Sequence, residues 1–222
     1  MASGDSLSRR GVLWDLDGTL ADSRDYHWRA WQEALGEEGV RVTEDQFQAS
    51  FGQRNDSILA AWLGADADPA VVRRIGEAKE AYYRRLVREE GIDPLPGARD
   101  WIETLHSDGW RQAIASSAPR LNVEVMHRAL GFGDRIQVLV GAQDVSRGKP
   151  DPEVFLLAAK RLGISPDRCV VVEDAGAGIE AANRAGMASI GVGGEGVSAA
   201  RVVVNTLSEL PGNAFELLVK QG

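Results

Sequence analysis

Cysteine is almost absent from this chain of 222 residues; Cys169 is the single one. One thiol builds no disulfide framework, so packing has to hold the fold, and a reducing compartment fits. Cys169 lies inside the apolar run Cys169–Val172, where a buried structural thiol is expected rather than a reactive one. Positive charge is short as well. Twenty-five Lys and Arg face 33 Asp and Glu, a formal net charge of -8. That balance argues against a nucleic-acid surface, which needs a basic patch. Arg73, Arg74, Lys79, Arg84, Arg85 and Arg88 are interleaved with Glu77, Glu80, Glu89 and Glu90 and read for the most part as a solvated helix face. No run is long and apolar enough to cross a membrane. Met1–Arg10 is polar, has no apolar signal region and reads as a flexible tail. The expectation is a cytoplasmic chain, monomeric by default, with neither nucleic acid nor membrane as partner.

What the chain does contain is alternation. The length and a 44% hydrophobic content suffice for a packed core. Short apolar runs end in polar or small residues: Val12–Trp14 at Asp15, Trp110–Ala115 at Ser116, Ile136–Val140 at Gly141. Cys169–Val172 ends at Glu173-Asp174, Met187–Val192 at Gly193, and Val202–Val204 at Asn205. Between them lie helical patterns such as Val154–Leu162 and Ile179–Ala185. Strands alternating with helices predict an α/β fold, a Rossmann-like parallel sheet with helices on both faces. One stretch, about Arg24 to Glu90, has no strand-like run and predicts helices over Tyr26–Leu35, Thr43–Ala49, Asp56–Trp62 and Pro69–Glu89. The simplest organisation is a tail at 1–10, a core of 11–24 and 91–222, and a helical insert at 25–90. Pro94-Leu95-Pro96-Gly97 punctuates the return to the core. Asn213–Lys220 reads as a closing amphipathic helix, and Gly193–Gly196 as a mobile loop or a plain turn.

Four polar clusters fall where the strands end, which is where open parallel sheets bind ligands. Asp15 and Asp17 stand two residues apart, on one side of an extended chain, with Gly18 allowing a sharp turn after them. Alone, an Asp-x-Asp also serves as a turn or a helix cap. Ser116-Ser117 offers hydroxyls to an anion, or merely caps a turn. Lys149 stands just before Pro152 opens the next helix. Glu173-Asp174 precede Ala175-Gly176-Ala177-Gly178, again a possible cap. Together the four are more specific than any one. Asp15, Asp17, Glu173 and Asp174 in one site require cations. A hard divalent ion with oxygen ligands, Mg²⁺ above all, answers that need with help from Lys149. Such a site holds a phosphoryl group while one carboxylate attacks phosphorus and the other moves protons.

These motifs, Asp15-Leu16-Asp17-Gly18-Thr19, then Ser116, Lys149 and Glu173-Asp174, resemble in order and spacing those of the haloacid-dehalogenase superfamily, over about Gly11 to Val192. The resemblance implies Asp15 as nucleophile and Asp17 as general acid/base. It implies Mg²⁺ bound by Asp15, the Asp17 carbonyl and Asp174, with Glu173 nearby or contributing. Ser116 and Lys149 would hold the phosphoryl group, with Gly18 and Ser117 beside it. The helical insert would be a cap that closes the site and selects the substrate, a small phosphate ester.

Within the superfamily the chain is most similar to the β-phosphoglucomutase-like branch. Asp25–Trp31 resembles that mutase's first cap helix, which makes His27 an aid to closure and proton handling. Gly52–Ser57 resembles a loop whose Arg, here Arg54, meets a substrate phosphate, and Lys79 matches a cap Lys facing the site. Each also reads as an ordinary surface or core residue, and Trp28 with Trp31 as core packing. The run Ser117-Ala118-Pro119-Arg120 departs from the mutase pattern of small polar residues with Asn or Lys. A sugar-phosphate phosphatase is therefore the preferred expectation, with a β-phosphoglucomutase interconverting β-glucose 1-phosphate and glucose 6-phosphate as the alternative.

Overall fold

A computed structural model describes residues 10–50, 53–193 and 196–219. The expected tail up to residue 9, Gly52, Gly194, Glu195 and Lys220 lie outside the described residues. The chain divides into two compact units, Met1–Asp22 with Asp93–Gly222, and Ser23–Ile92.

The first unit is built on a strand, β1 (Gly11–Trp14), that enters the centre of the sheet. The chain leaves for the second unit and its helices α1 (Arg24–Glu37), α2 (Glu44–Ser50), α3 (Asn55–Leu63) and α4 (Pro69–Glu90). It returns through α5 (Ala98–Ser107), β2 (Arg111–Ala115), α6 (Arg120–Leu130), β3 (Val138–Val140) and α7 (Glu153–Leu162). It ends with β4 (Cys169–Glu173), α8 (Gly176–Arg184), β5 (Ala188–Val192) and β6 (Val202–Val204). The six strands pair in the order β3-β2-β1-β4-β5-β6, every pair parallel. This is the doubly wound Rossmann-like order, with an all-helical cap domain inserted after the first strand. Among the described residues no helix is long and apolar enough to cross a membrane.

Period-two alternation gives the central strands two buried faces, so they read as continuous apolar runs. On one face Leu13, Ala113, Ala115 and Val171 pack with Phe155 and Ala158 of α7 and Ala181 of α8. Next to Leu13, Trp14 meets Phe215 at 5.9 Å between ring centroids, and Trp101 of α5 meets Phe215 at 5.0 Å. A buried amide is satisfied there: Trp14 Nε1 donates to Gln112 Oε1 at 2.9 Å, and Gln112 Nε2 donates to the Ile102 carbonyl at 2.8 Å. Cys169 is buried, and burial pushes its thiol up to about 12, so it is inert packing.

The second unit has its own core of Trp31, Ala34, Leu35, Phe47, Ile58, Leu59 and Ile75, with Trp28 packed against it. Trp28 and Trp31 are thus packing residues of this unit. Asp68 starts α4 by accepting from the Ala70 amide at 2.8 Å, with Pro69 in the first turn. Exposed ion pairs tie α1 to α4: Arg29 to Glu90 at 2.5 Å, Arg74 to Glu38 at 2.6 Å, Arg85 to Glu33 at 3.1 Å. Exposed pairs of this kind add about 0–1 kcal/mol each, so the apolar stripe carries the unit.

Two sequence expectations are corrected. The strand expected over Ile136–Val140 is shorter, Val138–Val140: a turn of 3-10 helix takes up Gly133–Arg135, and Ile136 and Gln137 link it to the strand. The helix expected over Asn213–Lys220 does not form in its described part, 213–219, which is a series of turns. Ala214, Phe215 and Val219 are buried instead as separate anchors.

Candidate active site

The order of the sheet reverses between β1 and β4, and a doubly wound sheet binds its ligand outside the carboxyl ends at that point. Register puts Trp14 opposite Val172, so Asp15 leaves β1 beside Glu173 and Asp174, and its amide donates to the Val172 carbonyl at 2.9 Å. Three carboxylates, Asp15, Glu173 and Asp174, each bring an oxygen within 4.8 Å of the others.

Lys149 enters this acidic group from the loop before α7. Its Nζ donates to Asp15 Oδ1 at 2.5 Å and to Glu173 Oε1 at 2.6 Å, and lies 4.9 Å from the centroid of the Phe155 ring. Glu153 steadies that loop by accepting from the amides of Ser146 and Arg147 at 3.1 and 3.0 Å. The second oxygen of Glu173 accepts from the Ala175 amide at 2.8 Å. Gly178 leaves room for that carboxylate, since a Cβ there would lie 1.9 Å from Glu173 Oε1. Gly18, at φ 85°, makes the turn after the two aspartates, and a Cβ on it would lie 2.1 Å from Asp174 Oδ2. Both glycines are set by the carboxylates they leave space for.

Charge in the cluster is unbalanced. Burial pushes the Asp15 carboxyl well above its ordinary range, and Glu173 and Asp174 push the same way against Lys149. Asp174 is pushed up to about 7, by burial first and then by Glu173, with Lys149 opposing and Asp17 adding a little. Burial works against the Lys149 ammonium, but Asp15 and Glu173 outweigh it and hold the charge above its ordinary range. A buried set of oxygen donors with surplus negative charge fits a hard divalent cation such as Mg²⁺.

The other expected residues fall into two groups. Ser116 is buried at the end of β2, the neighbour of β1; its amide donates to the Val140 carbonyl at 3.1 Å and its hydroxyl accepts from the Ala118 amide at 3.0 Å. Asp17 and Ser117 are half-buried, and Asp17 pairs with Ala21 in a one-residue bridge. His27 and Lys79 come together in the helical unit, Nδ1 to Nζ at 2.9 Å, and Lys79 is buried rather than solvated. Arg54 stands apart at the N-terminus of α3, exposed, 3.4 Å from Asp56.

Sequence reasoning passed over Thr19, Asn55 and Glu80. The Thr19 hydroxyl donates to Asp174 Oδ1 at 3.3 Å and is fully buried. Asn55 donates to Glu80 Oε1 at 2.6 Å, and Lys79 does so at 2.7 Å. One signal was present: Ile75, Lys79 and Tyr83 are four apart, so Lys79 occupies the apolar stripe of α4.

Comparison with known proteins identifies the family. A family model for haloacid dehalogenase-like hydrolases matches residues 10–186. The chain belongs to that family, and within it to the enzymes resembling sugar-phosphate phosphatases and phosphomutases. It is 34% identical over 186 residues to a fructose-1-phosphate phosphatase of Escherichia coli (strain K12), covering 82% of this chain and 95% of that one. A crystal structure of β-phosphoglucomutase from Clostridium difficile superposes with a TM-score of 0.83 at 28% identity, covering 94% of this chain and 96% of that one. The chloroplastic protein SUPPRESSOR OF QUENCHING 1 of Arabidopsis thaliana is 35% identical over 188 residues; the match takes in 82% of this chain and spans only 17% of that protein's length.

Proposed function

We propose that this chain is a Mg²⁺-dependent phosphatase of small sugar phosphates that works through a phospho-aspartate at Asp15. The observation that carries the reading is the buried cluster at the sheet's reversal point, where Lys149 contacts Asp15 and Glu173 within a surplus of carboxylates. Asp15, Asp174 and the main-chain carbonyl of Asp17 would hold Mg²⁺. The bound ion supplies charge that neutralises the carboxylates and the oxygens of the transferring phosphoryl group.

In the first step a carboxylate oxygen of Asp15 forms a bond to phosphorus as the bond to the ester oxygen breaks. Asp17 gives that oxygen a proton, and the sugar leaves as an alcohol. In the second step water attacks phosphorus and Asp17 takes its proton. The bond between Asp15 and phosphorus breaks, releasing phosphate and restoring both aspartates. Lys149 and Ser116, with Ser117 and the Gly18 turn beside them, hold the phosphoryl oxygens in both steps. The helical unit, with His27, Arg54 and Lys79, acts as the cap that selects the substrate.

Phosphatase is preferred to mutase because the run Ser117-Ala118-Pro119-Arg120 departs from the mutase pattern, and its one cation, Arg120 at the start of α6, is already engaged. Its guanidinium is engaged by the Leu139 carbonyl at 2.6 Å, Glu124 at 3.0 Å and Asp144 at 3.2 Å. A mutase has to seat both phosphates of a bisphosphate; Arg54 is the candidate for the second, while Arg120 serves the fold. The test follows free phosphate and glucose 6-phosphate together, with Mg²⁺, across a panel of sugar phosphates that includes β-glucose 1-phosphate and a trace of the 1,6-bisphosphate. Phosphate release without isomerisation is expected. Glucose 6-phosphate formed without matching phosphate would make the chain a mutase, and an active Asp15→Asn variant would end the phospho-aspartate mechanism.

A further inference from the structure

The helical unit buries a second polar cluster that the hydrolytic chemistry above leaves without a role. Lys79 lies on the inner stripe of α4, with Glu80 beside it and Asn55 at the start of α3. Glu80 Oε1 receives two hydrogen bonds, from Lys79 Nζ at 2.7 Å and from Asn55 Nδ2 at 2.6 Å. Lys79 Nζ also lies 2.9 Å from His27 Nδ1. The ammonium faces the rings of Trp31 and Tyr83, at 5.1 and 5.6 Å from their centroids. His27 is held in plane by stacking on Tyr83, 4.2 Å between centroids at 14°.

An ammonium has donors and no acceptor. So long as Lys79 is charged, His27 Nδ1 can only accept, and the proton of a neutral imidazole must sit on Nε2. Glu80 gives that ammonium an ionised partner in this apolar setting. A buried ammonium is costly unless an ionised partner stands beside it. The carboxyl of Glu80 is itself below its ordinary range: burial pushes it up, but Lys79, His27 and the hydrogen bonds from Lys79 and Asn55 outweigh burial.

We propose that Glu80, braced by Asn55, is a positioning residue that holds the Lys79 ammonium against His27 and so locks His27 as the Nε2–H tautomer. The imidazole is thereby a hydrogen-bond donor, matched to an anion or to an ester or hydroxyl oxygen, and cannot serve as a base without losing Lys79. The inference concerns the helical unit alone and stands whichever reaction the core performs.

The test is nitrogen-15 NMR of histidine-labelled full-length protein at neutral pH. The chain has three histidines, so comparison with His27→Gln assigns the signal of interest. The expected result for the parent protein is a neutral His27 protonated at Nε2. A ring protonated at Nδ1, or at both nitrogens, overturns the proposal. In Glu80→Gln, which is nearly isosteric, the ratio of Nδ1–H to Nε2–H should rise roughly tenfold, the scale of losing one charge-assisted hydrogen bond. An unchanged ratio in a folded Glu80→Gln removes Glu80 from the account. Lys79→Met deletes the donor outright and is judged by the same ratio, while the tautomer of the parent protein decides the matter if either variant fails to fold.

Discussion

Among the described residues each unit takes one lysine side chain almost wholly out of water, and the two differ in their company. Lys149 in the sheet unit has 7% of its side chain exposed, and Lys79 in the helical unit 3%. Both touch a glutamate, at 2.6 Å and 2.7 Å. Around Lys149, however, stand Asp15, Glu173 and Asp174, and the surplus pushes Asp15 and Asp174 upward. The carboxylate that touches Lys79, Glu80, ends below its ordinary range. A buried cluster with excess charge is unfinished without a cation or a ligand. A balanced one is complete in itself and serves to hold geometry.

The comparison is broken most severely at Asp15, the proposed nucleophile. Asp15→Asn should lower turnover by at least about 10⁴-fold while leaving far-ultraviolet circular dichroism unchanged. Next come the lysines. Lys149→Met should cost about 10²–10³ in kcat/KM. Lys79→Met strands Glu80 and should cost about 3–5 kcal/mol, or roughly 6–20 °C in melting temperature for a chain of this size. Added Mg²⁺ should restore part of the stability of Lys149→Met and none of that of Lys79→Met. A restoration equal in both would mean that the clusters are alike.

The pH dependence sharpens the contrast because its sign reverses between the units. Asp174 has a folded value, about 7, above its ordinary value of 3.8, so the folded state holds a proton that the unfolded state releases. Between those values stability falls as pH rises. Glu80 is lowered, so its contribution is present above its ordinary value and is lost as pH falls through its folded value. Native-state amide exchange without Mg²⁺ should therefore show β4 opening more readily on going from pH 5 to 8, and α4 more readily as pH falls below the ordinary Glu80 value of 4.5. A melting-temperature gain from Mg²⁺ that grows over the same rise from pH 5 to 8 would accompany it. Parallel trends in β4 and α4 would refute the reading. The smallest effect belongs to Arg54→Ala. With Arg54 exposed and only 3.4 Å from an exposed Asp56, thermal stability should change by less than about 0.5 kcal/mol.

Much of the site was legible because it uses local geometry. A strand that ends on Asp15 exports its chemistry to the carboxyl edge of a parallel sheet, as do strands ending on Ser116 and Glu173. The helical insert was legible too, since apolar spacing near 3.6 over Arg24–Glu90 admits no strand. Lys79 was not. It sits in a charge-rich run where Arg73, Arg74, Arg84 and Arg88 are half-buried or exposed, and only its four-residue spacing from Ile75 and Tyr83 marks it as different. Glu80 and Asn55 carry no local signal, because they meet across 25 residues of chain.

By itself the sequence determined the strand and helix alternation, the edge on which the carboxylates stand, and the acidic surplus that calls for a cation. These follow from backbone period and residue chemistry, which act over a few residues. Only the tertiary structure decided that β1 lies between β2 and β4, so that Asp15 meets Glu173 and Asp174. It also decided that Lys149 and Lys79 leave water for different company, and that 213–219 packs as turns. Those outcomes depend on which distant side chains share a buried volume, since the energy of a buried charge is set by its neighbours in space.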